Sequence, residues 1–391
     1  MSNNAIHNSS FKEGWLDMKR FLMIFLIFTM IFLSGCWDSI EINERNFVTL
    51  SGVDLNKDPD EEGRYVITYV YPNIGAVGKN PSQKEAKFVK STVAETVFDG
   101  SRQLTTRINN PFFFKHLKVI VIGEELFKEP EMIKEFFDGI NRDPRINTKA
   151  MVVVAQGTAK DVVSTKMEEL AVIGGYLNSM LQNDSVAARF TSQTFSEVIK
   201  DFDFCGSTIV PRAVPKKNEF KLSGGAVLKD YRLVGWVGEK ENRAIALARN
   251  KVKSEIIDIP YNGTVVSYVI TNVISKKRVS ETGGKIKVDL NISTVGYIQQ
   301  CPNGKKEDVF SQQFIDKVEE KISETIKKEV ENSVVKLQKK YNADAIGIAE
   351  YIYKFKPNLW EKVNEDWDEV FPNLDINVIV DTKIRRAGLT R

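Results

Sequence analysis

Apolar positions along the 391-residue chain recur at two spacings, and the spacing changes from segment to segment. Tyr65, Ile67, Tyr69 and Tyr71 alternate with Val66, Thr68 and Val70, which is strand periodicity. Residues 47–55 read as a strand too, and the Asp-Pro-Asp-Glu-Glu-Gly run at 58–63 is a turn, so the two strands are expected to pair as a hairpin. Residues 73–84, rich in Gly, Asn, Pro and Lys, read as a surface loop. Val93, Val97, Gly100-Ser101 and Leu104 then predict a helix over 91–108. A strand at 116–122, a helix at 129–140, a turn at 141–145, a strand at 149–155 and a helix at 158–166 continue the alternation. Together they predict an α/β-type N-terminal domain that ends near residue 205.

From residue 206 the texture changes. Gly206, Pro211, Pro215 and Gly224-Gly225 punctuate short strands at 219–228 and 233–237, with a short third segment at 244–247, and a small middle domain is expected over 206–262. The C-terminal part, 263–391, reads as α+β: strands at 264–274 and 285–299, a long helix at 308–341, a second helix at 344–353 and a last strand at 375–383. In the long helix Phe310, Phe314, Val318, Ile322, Ile326, Val330, Val334, Leu337 and Tyr341 form one apolar stripe. Its spacing of mostly four drifts off a heptad seam, so the stripe is expected to pack on its own sheet rather than in a coiled coil. The fold class expected is a three-domain α+β ectodomain of mixed β-sheets flanked by helices.

One apolar run obeys neither rule. Phe21 to Leu33 is continuously apolar for about 13 residues, a helix of about 20 Å, whereas a bilayer core is about 30 Å thick. Lys19 and Arg20 precede it and Ser34-Gly35-Cys36 follow, the three regions of a secretory signal peptide. Leu33-Ser34-Gly35-Cys36 resembles the lipobox of bacterial lipoproteins, which implies cleavage between Gly35 and Cys36 and lipidation of Cys36. Residues 1–35 are then the signal peptide. Polar residues 1–17, carrying Glu13 and Asp17, make Met18 the more natural start.

About 355 residues remain after cleavage, too many for a single core. The 55 basic and 52 acidic residues nearly balance, so the chain lacks the electrostatic footprint of a nucleic-acid binder. Cys205 and Cys301 are the remaining thiols, read as buried free cysteines or a disulfide, and His116 is the one histidine left, so a histidine-rich metal site is excluded. His116, amid Phe112, Phe113, Phe114 and Leu117, is expected to be a buried, hydrogen-bonded imidazole rather than a catalytic base. No phosphate-cradling glycine loop or nucleophile elbow follows a strand, and Glu124-Glu125 read as capping and dipole-stabilising carboxylates. No catalytic, cofactor-binding or metal-binding residue is expected. The basic clusters at 276–278, 327–328, 339–340 and 385–386 read as solvated faces, with anionic lipid headgroups as the sharper alternative.

Five collinear blocks carry a resemblance over the whole mature chain. They are Gly35-Cys36-Trp37-Asp38 followed by 47–54; Phe114-Lys115-His116-Leu117-Lys118-Val119-Ile120-Val121-Ile122-Gly123-Glu124-Glu125; Asn141-Arg142-Asp143-Pro144-Arg145; the Gly-Gly-Ala-Val-Leu-Lys-Asp pattern within 222–235; and Asn342-Ala343-Asp344-Ala345-Ile346-Gly347-Ile348 with Trp360, Trp367 and Phe371-Pro372 beyond. With these blocks the chain resembles the Ger(x)C family, the lipoprotein C subunits of spore-germinant receptors. It departs from that family in its first 17 residues and in Gly347-Ile348-Ala349, where the family pattern tends to carry another glycine. The resemblance implies a non-enzymatic protein tethered by Cys36 to the outer face of the spore inner membrane. Its implied partners are the membrane and two integral-membrane subunits, A and B, in a complex that answers small nutrients and starts germination. Two other classes make different demands. A solute-binding lipoprotein capturing a small nutrient needs a cleft to which Trp236, Tyr231 and Arg232 could contribute, and a cell-envelope hydrolase needs an acid–base pair that the sequence does not offer.

Overall fold

A computed structural model describes residues 20–25, 44–73, 87–165, 173–217, 219–300 and 311–386. The chain divides into two compact units, residues 1–45 and 46–391. In the first, residues 20–25 are helical and Phe21 to Phe25 are exposed. Among the described residues no helix is long and apolar enough to cross a membrane. Gly35, Cys36 and Cys301 lie outside the described residues.

The second unit begins with β1 (Asn46–Phe47), β2 (Leu50–Leu55), β3 (Tyr65–Pro72), β4 (Lys87–Ala94), α1 (Val97–Thr105), β5 (Phe112–Phe113), β6 (Val119–Gly123), α2 (Pro130–Arg142), β7 (Met151–Ala155) and α3 (Ala159–Ser164). There follow α4 (Ile173–Gln182), α5 (Asp184–Ala187), α6 (Phe195–Cys205), β8 (Ser207–Pro215), β9 (Phe220–Lys229) and β10 (Arg232–Val237). Eight strands form one sheet in the order β10-β9-β8-β7-β6-β2-β3-β4, and β1 pairs with β5 alone. Its central strands β2, β6, β7 and β8 are parallel neighbours. A parallel strand is covered on both faces and needs apolar side chains on both, which is why Val119 to Gly123 form an unbroken, fully buried run. One face carries Ile120, Ile122, Val152 and Val154 against Leu104 of α1, Ile133 and Phe137 of α2 and Phe195 of α6. The other carries Val119, Val121 and Val153 against Val162 of α3 and Leu177 of α4.

The expected hairpin is present, with Leu50 opposite Val70 and Leu55 opposite Tyr65. The helix expected from 91 starts later. Residues 87–94 are a strand paired with β3, and Thr96 caps α1 by accepting the Asp99 N–H at 3.1 Å. Val93 and Val97 fit a helical spacing, yet Val93 lies in a β-branched run that pairs with Val66. Residues 206–262, read from sequence as a small middle domain, are divided in the structure: β8, β9 and β10 complete the large sheet, and the rest joins the C-terminal layer.

That layer comprises α7 (Glu239–Ala248), β11 (Glu255–Tyr261), β12 (Thr264–Thr282), β13 (Lys285–Gln300), α8 (Gln312–Val335), α9 (Ile348–Phe355), α10 (Pro357–Val363), α11 (Trp367–Val370) and β14 (Asp375–Arg386). The segment expected at 244–247 is the second half of α7. The four strands pair in chain order, β13 with β14 in parallel. Here one face is open, and β13 alternates: Val288, Leu290, Ile292, Thr294, Gly296 and Ile298 are buried while the residue after each is less so. The stripe on α8, from Phe314 through Val334, is buried as expected, because β14, α7 and β11 all pack against that helix. It continues through a π-helical turn, Lys336–Tyr341, where Leu337 and Tyr341 are also buried.

Candidate functional site

In α/β sheets ligands ordinarily bind beyond the carboxyl ends of the parallel strands, at helix N-termini whose free N–H groups attract anions. In this protein that position holds one of its own carboxylates. Asp54, at the end of β2, accepts the N–H of Ala159 at 2.6 Å and that of Lys160 at 2.9 Å, the first turn of α3. Burial pushes the Asp54 carboxyl above its ordinary value, and the two N–H groups act against that shift. Gly123 makes the approach possible, since a Cβ there would lie 2.0 Å from Asp54 Oδ1. Beside it Glu124 Oε1 accepts the Gly157 N–H at 2.8 Å, while Glu125 pairs with Lys57 and Lys128, each at 2.7 Å. The two glutamates therefore diverge, and each has a structural partner.

His116 departs from expectation. It is exposed, and its ring stands edge-on to Phe47 at 5.0 Å and near Phe113 at 5.5 Å. The apolar neighbours cover one side of it only, because β1 and β5 form a ribbon at the margin of the large sheet. Cys205 is a free thiol that donates to the carbonyls of Asp201 and Ser207, and burial pushes its pKa up, the reverse of what a reactive thiol needs. Among the described residues no cluster of His, Cys, Asp and Glu could hold a metal ion.

The residues considered for a solute cleft do not converge. Tyr231 stacks on Phe202 at 4.5 Å, Trp236 packs under Arg212 at 5.5 Å, and Arg232 is exposed. Tyr231 alone of the three borders an open depression of about 440 Å³, lined mainly by charged side chains such as Glu131, Glu135 and Asp138. Ligand pockets are mostly apolar and enclosed, so this depression is a poor nutrient site.

The start of α7 is held electrostatically to β9. Glu239 accepts from Lys221, from Ser223 at 2.7 Å and from Arg189 at 3.0 Å, and the Lys221 ammonium above all lowers its carboxyl to about 2. A folded-state value below the ordinary 4.5 means that this contribution is present above pH 4.5 and lost as pH falls towards 2. Glu239→Gln is expected to flatten the fall of the urea midpoint between those pH values relative to wild type. Identical pH curves would show that Glu239 contributes nothing there.

A profile described as a spore germination protein N-terminal domain matches residues 38–214, and one described as spore germination B3/GerAC like, C-terminal, matches 223–388. The chain belongs to the Ger(x)C family. Spore germination protein YndF of Bacillus subtilis (strain 168) is 25% identical, covering 94% of this chain and 97% of its own. Spore germination protein KC of the same organism is also 25% identical, with 95% and 96% covered. The crystal structure of the GerBC protein superposes with a TM-score of 0.54 at 20% identity over 86% of this chain and 97% of that one, a shared fold.

The Ger(x)C blocks have structural roles where the structure describes them. The second and third meet where Lys115 Nζ donates to the Pro144 carbonyl; Arg145 grips Asp143 within the third at 2.7 Å, and Asn147, two residues beyond it, donates to the Leu117 carbonyl at 3.1 Å. In the fourth, Asp230 and Tyr231 both have positive φ and form the two-residue turn between β9 and β10. In the fifth, Asp344 is buried and caps α9 by accepting the N–H groups of Ile348 at 3.0 Å and Ala349 at 2.7 Å. Gly347-Ile348-Ala349, the departure from the Ger(x)C pattern, is that first turn, and Gly347 keeps the left-handed φ of 74°. Asp54, and Arg243 of α7, which pairs with Glu329 of α8 at 2.7 Å, escaped sequence reading, although a charged residue inside an apolar strand or helix is itself a signal that a partner waits elsewhere.

Proposed function

We propose that this chain is the lipid-anchored, non-enzymatic C subunit of a nutrient-germinant receptor, held by Cys36 at the outer face of the spore inner membrane beside two integral-membrane subunits. The observation that carries this reading is the reach of the family matches: an N-terminal model over 38–214 and a C-terminal one over 223–388, the first beginning two residues after the lipobox cysteine. A diacylglyceryl group is a stable anchor where a single acyl chain is marginal. Tethering raises the effective concentration of a folded unit beside its partners, so weak contacts with their outward loops become occupied.

Affinity capture of the tagged protein from detergent-solubilised spore membranes, with mass spectrometry of its mature N-terminus, tests the reading. Lipidated Cys36 and two polytopic partners are the expected result, and Cys36→Ala is expected to leave the folded unit intact while reducing germination. A lipidated protein recovered alone, or normal germination by a variant shown to carry no lipid, would overturn it.

A further inference from the structure

One end of the large sheet joins half-buried aromatic rings, with exposed Phe88 at their edge, to a cluster of positive charge. β2, β6 and β7 are parallel and begin there, tied by the hydrogen bonds Lys118 N–H to Thr49 O and Met151 N–H to Lys118 O. β3 ends and β4 begins at the same end, placing Tyr71 against Phe88 at 5.3 Å and against Phe112 at 5.5 Å. Phe47 meets Phe113 at 5.5 Å on the adjoining β1–β5 ribbon, and Phe88 is 40% exposed. At this end stand exposed Lys115 and Lys118, just before β6, and exposed Lys149, just before β7. Between Asp99 and Glu124 the chain has no acidic residue at all, and Asp143, the nearby carboxylate, is taken up by Arg145.

We infer that this end of the sheet is a docking face for an anionic lipid bilayer. Aromatic rings with one wet edge and lysines with long apolar stems are the side chains suited to a headgroup layer. The charge complements an anionic leaflet, each lysine near the surface adding roughly fivefold to binding. Chain length puts this end within reach of the bilayer: Cys36 is ten Cα steps from Asn46, so β1 lies within about 35 Å of an anchored cysteine whatever path the connecting residues take. In that one respect the inference rests on the proposed anchor. Docking this end would hold the subunit in one defined orientation rather than a tumbling one.

The test separates the face from the anchor. The unit Asn46–Arg391 has its own cores and lacks Cys36, so its flotation with vesicles reads the face alone. Binding to vesicles containing phosphatidylglycerol, weaker binding to pure phosphatidylcholine, loss in high salt and at least a tenfold drop in Lys115→Glu/Lys118→Glu/Lys149→Glu with an unchanged unfolding midpoint are expected. No preference for phosphatidylglycerol, or undiminished binding by that variant, overturns the docking face and leaves the lipidation of Cys36 to be judged by its mass. In the full chain in native membranes, a photo-crosslinker at Lys118 is expected to capture phospholipid. Capture of protein alone would overturn the inference in favour of a subunit contact.

Discussion

Replacing Arg243 with methionine is expected to lower the unfolding free energy of the Asn46–Arg391 unit by about 3 kcal/mol, the lower part of the range for breaking a buried ion pair. Arg243, on α7, reaches α8: its Nη2 lies 2.7 Å from both Glu329 oxygens, and its Nε donates to Oε2 at 3.2 Å. Its Nη1 donates to the Ile256 carbonyl on β11 at 3.3 Å, so one side chain joins two helices and the edge of a sheet. The two side chains are 8% and 19% exposed, little enough that water does not replace the lost partner. Methionine keeps the apolar stem and leaves Glu329 charged and uncompensated. Glu255 worsens the loss: burial pushes its carboxyl up, Arg243 opposes that shift, and its Oε2 already lacks a hydrogen-bond partner. Arg243→Met/Glu329→Leu, which removes both charges, is expected to recover most of the stability in urea denaturation. A single-variant loss below about 1 kcal/mol would place the pair with exposed surface pairs and remove it as the clamp between α7 and α8.

The same contrast between local pattern and distant partner explains which parts of this protein were legible in its sequence. The β2–β3 hairpin, the strands β6 and β7 and the stripe of α8 were legible because each is declared by spacing within a window of its own residues. The destination of β8 was not. Its pairing of Arg212 with Val154 joins segments nearly sixty residues apart, and no local periodicity encodes it. Prolines and glycines in 206–225 therefore read as linker punctuation, although Pro211 and Gly225 face each other inside the large sheet. Asp54 is similar: its partners are 105 and 106 residues away, so the sequence shows an acid in an apolar strand and hides the helix that needs it. His116 failed in the opposite direction, since aromatic neighbours in sequence implied burial that a two-stranded marginal ribbon cannot provide. The family resemblance succeeded where spacing did not, because the glycines, acids and turns of its blocks sit where long-range packing leaves few alternatives.

Gly224 is the clearest of those positions, and Gly224→Ala is expected to destabilise the unit by about 3 kcal/mol or more. Its sequence context, Gly224-Gly225 between apolar residues, reads as a turn, yet both residues lie within β9. Gly224 has a φ of 68°, where an L side chain costs roughly 1–2 kcal/mol. A Cβ there would fall 2.0 Å from the Val237 carbonyl oxygen and 3.0 Å from its carbon. Those are backbone atoms at the end of β10, so relief requires moving a strand rather than rotating a side chain, an overpacking cost of about 1–3 kcal/mol. The strand cannot move freely: the Gly224 N–H donates to Arg189 O at 2.8 Å, and Gly235, further back on β10, lies against the Tyr341 ring so closely that a Cβ would be 2.3 Å from it. Gly283, in the β12–β13 turn, separates the two causes. Its φ is 59° and nothing lies within 4 Å of its would-be Cβ, so Gly283→Ala is expected to cost only the backbone part, about 1–2 kcal/mol. Losses of equal size at the two glycines would mean that the Val237 carbonyl yields without resistance, and that backbone conformation rather than the contact between β9 and β10 requires glycine at 224.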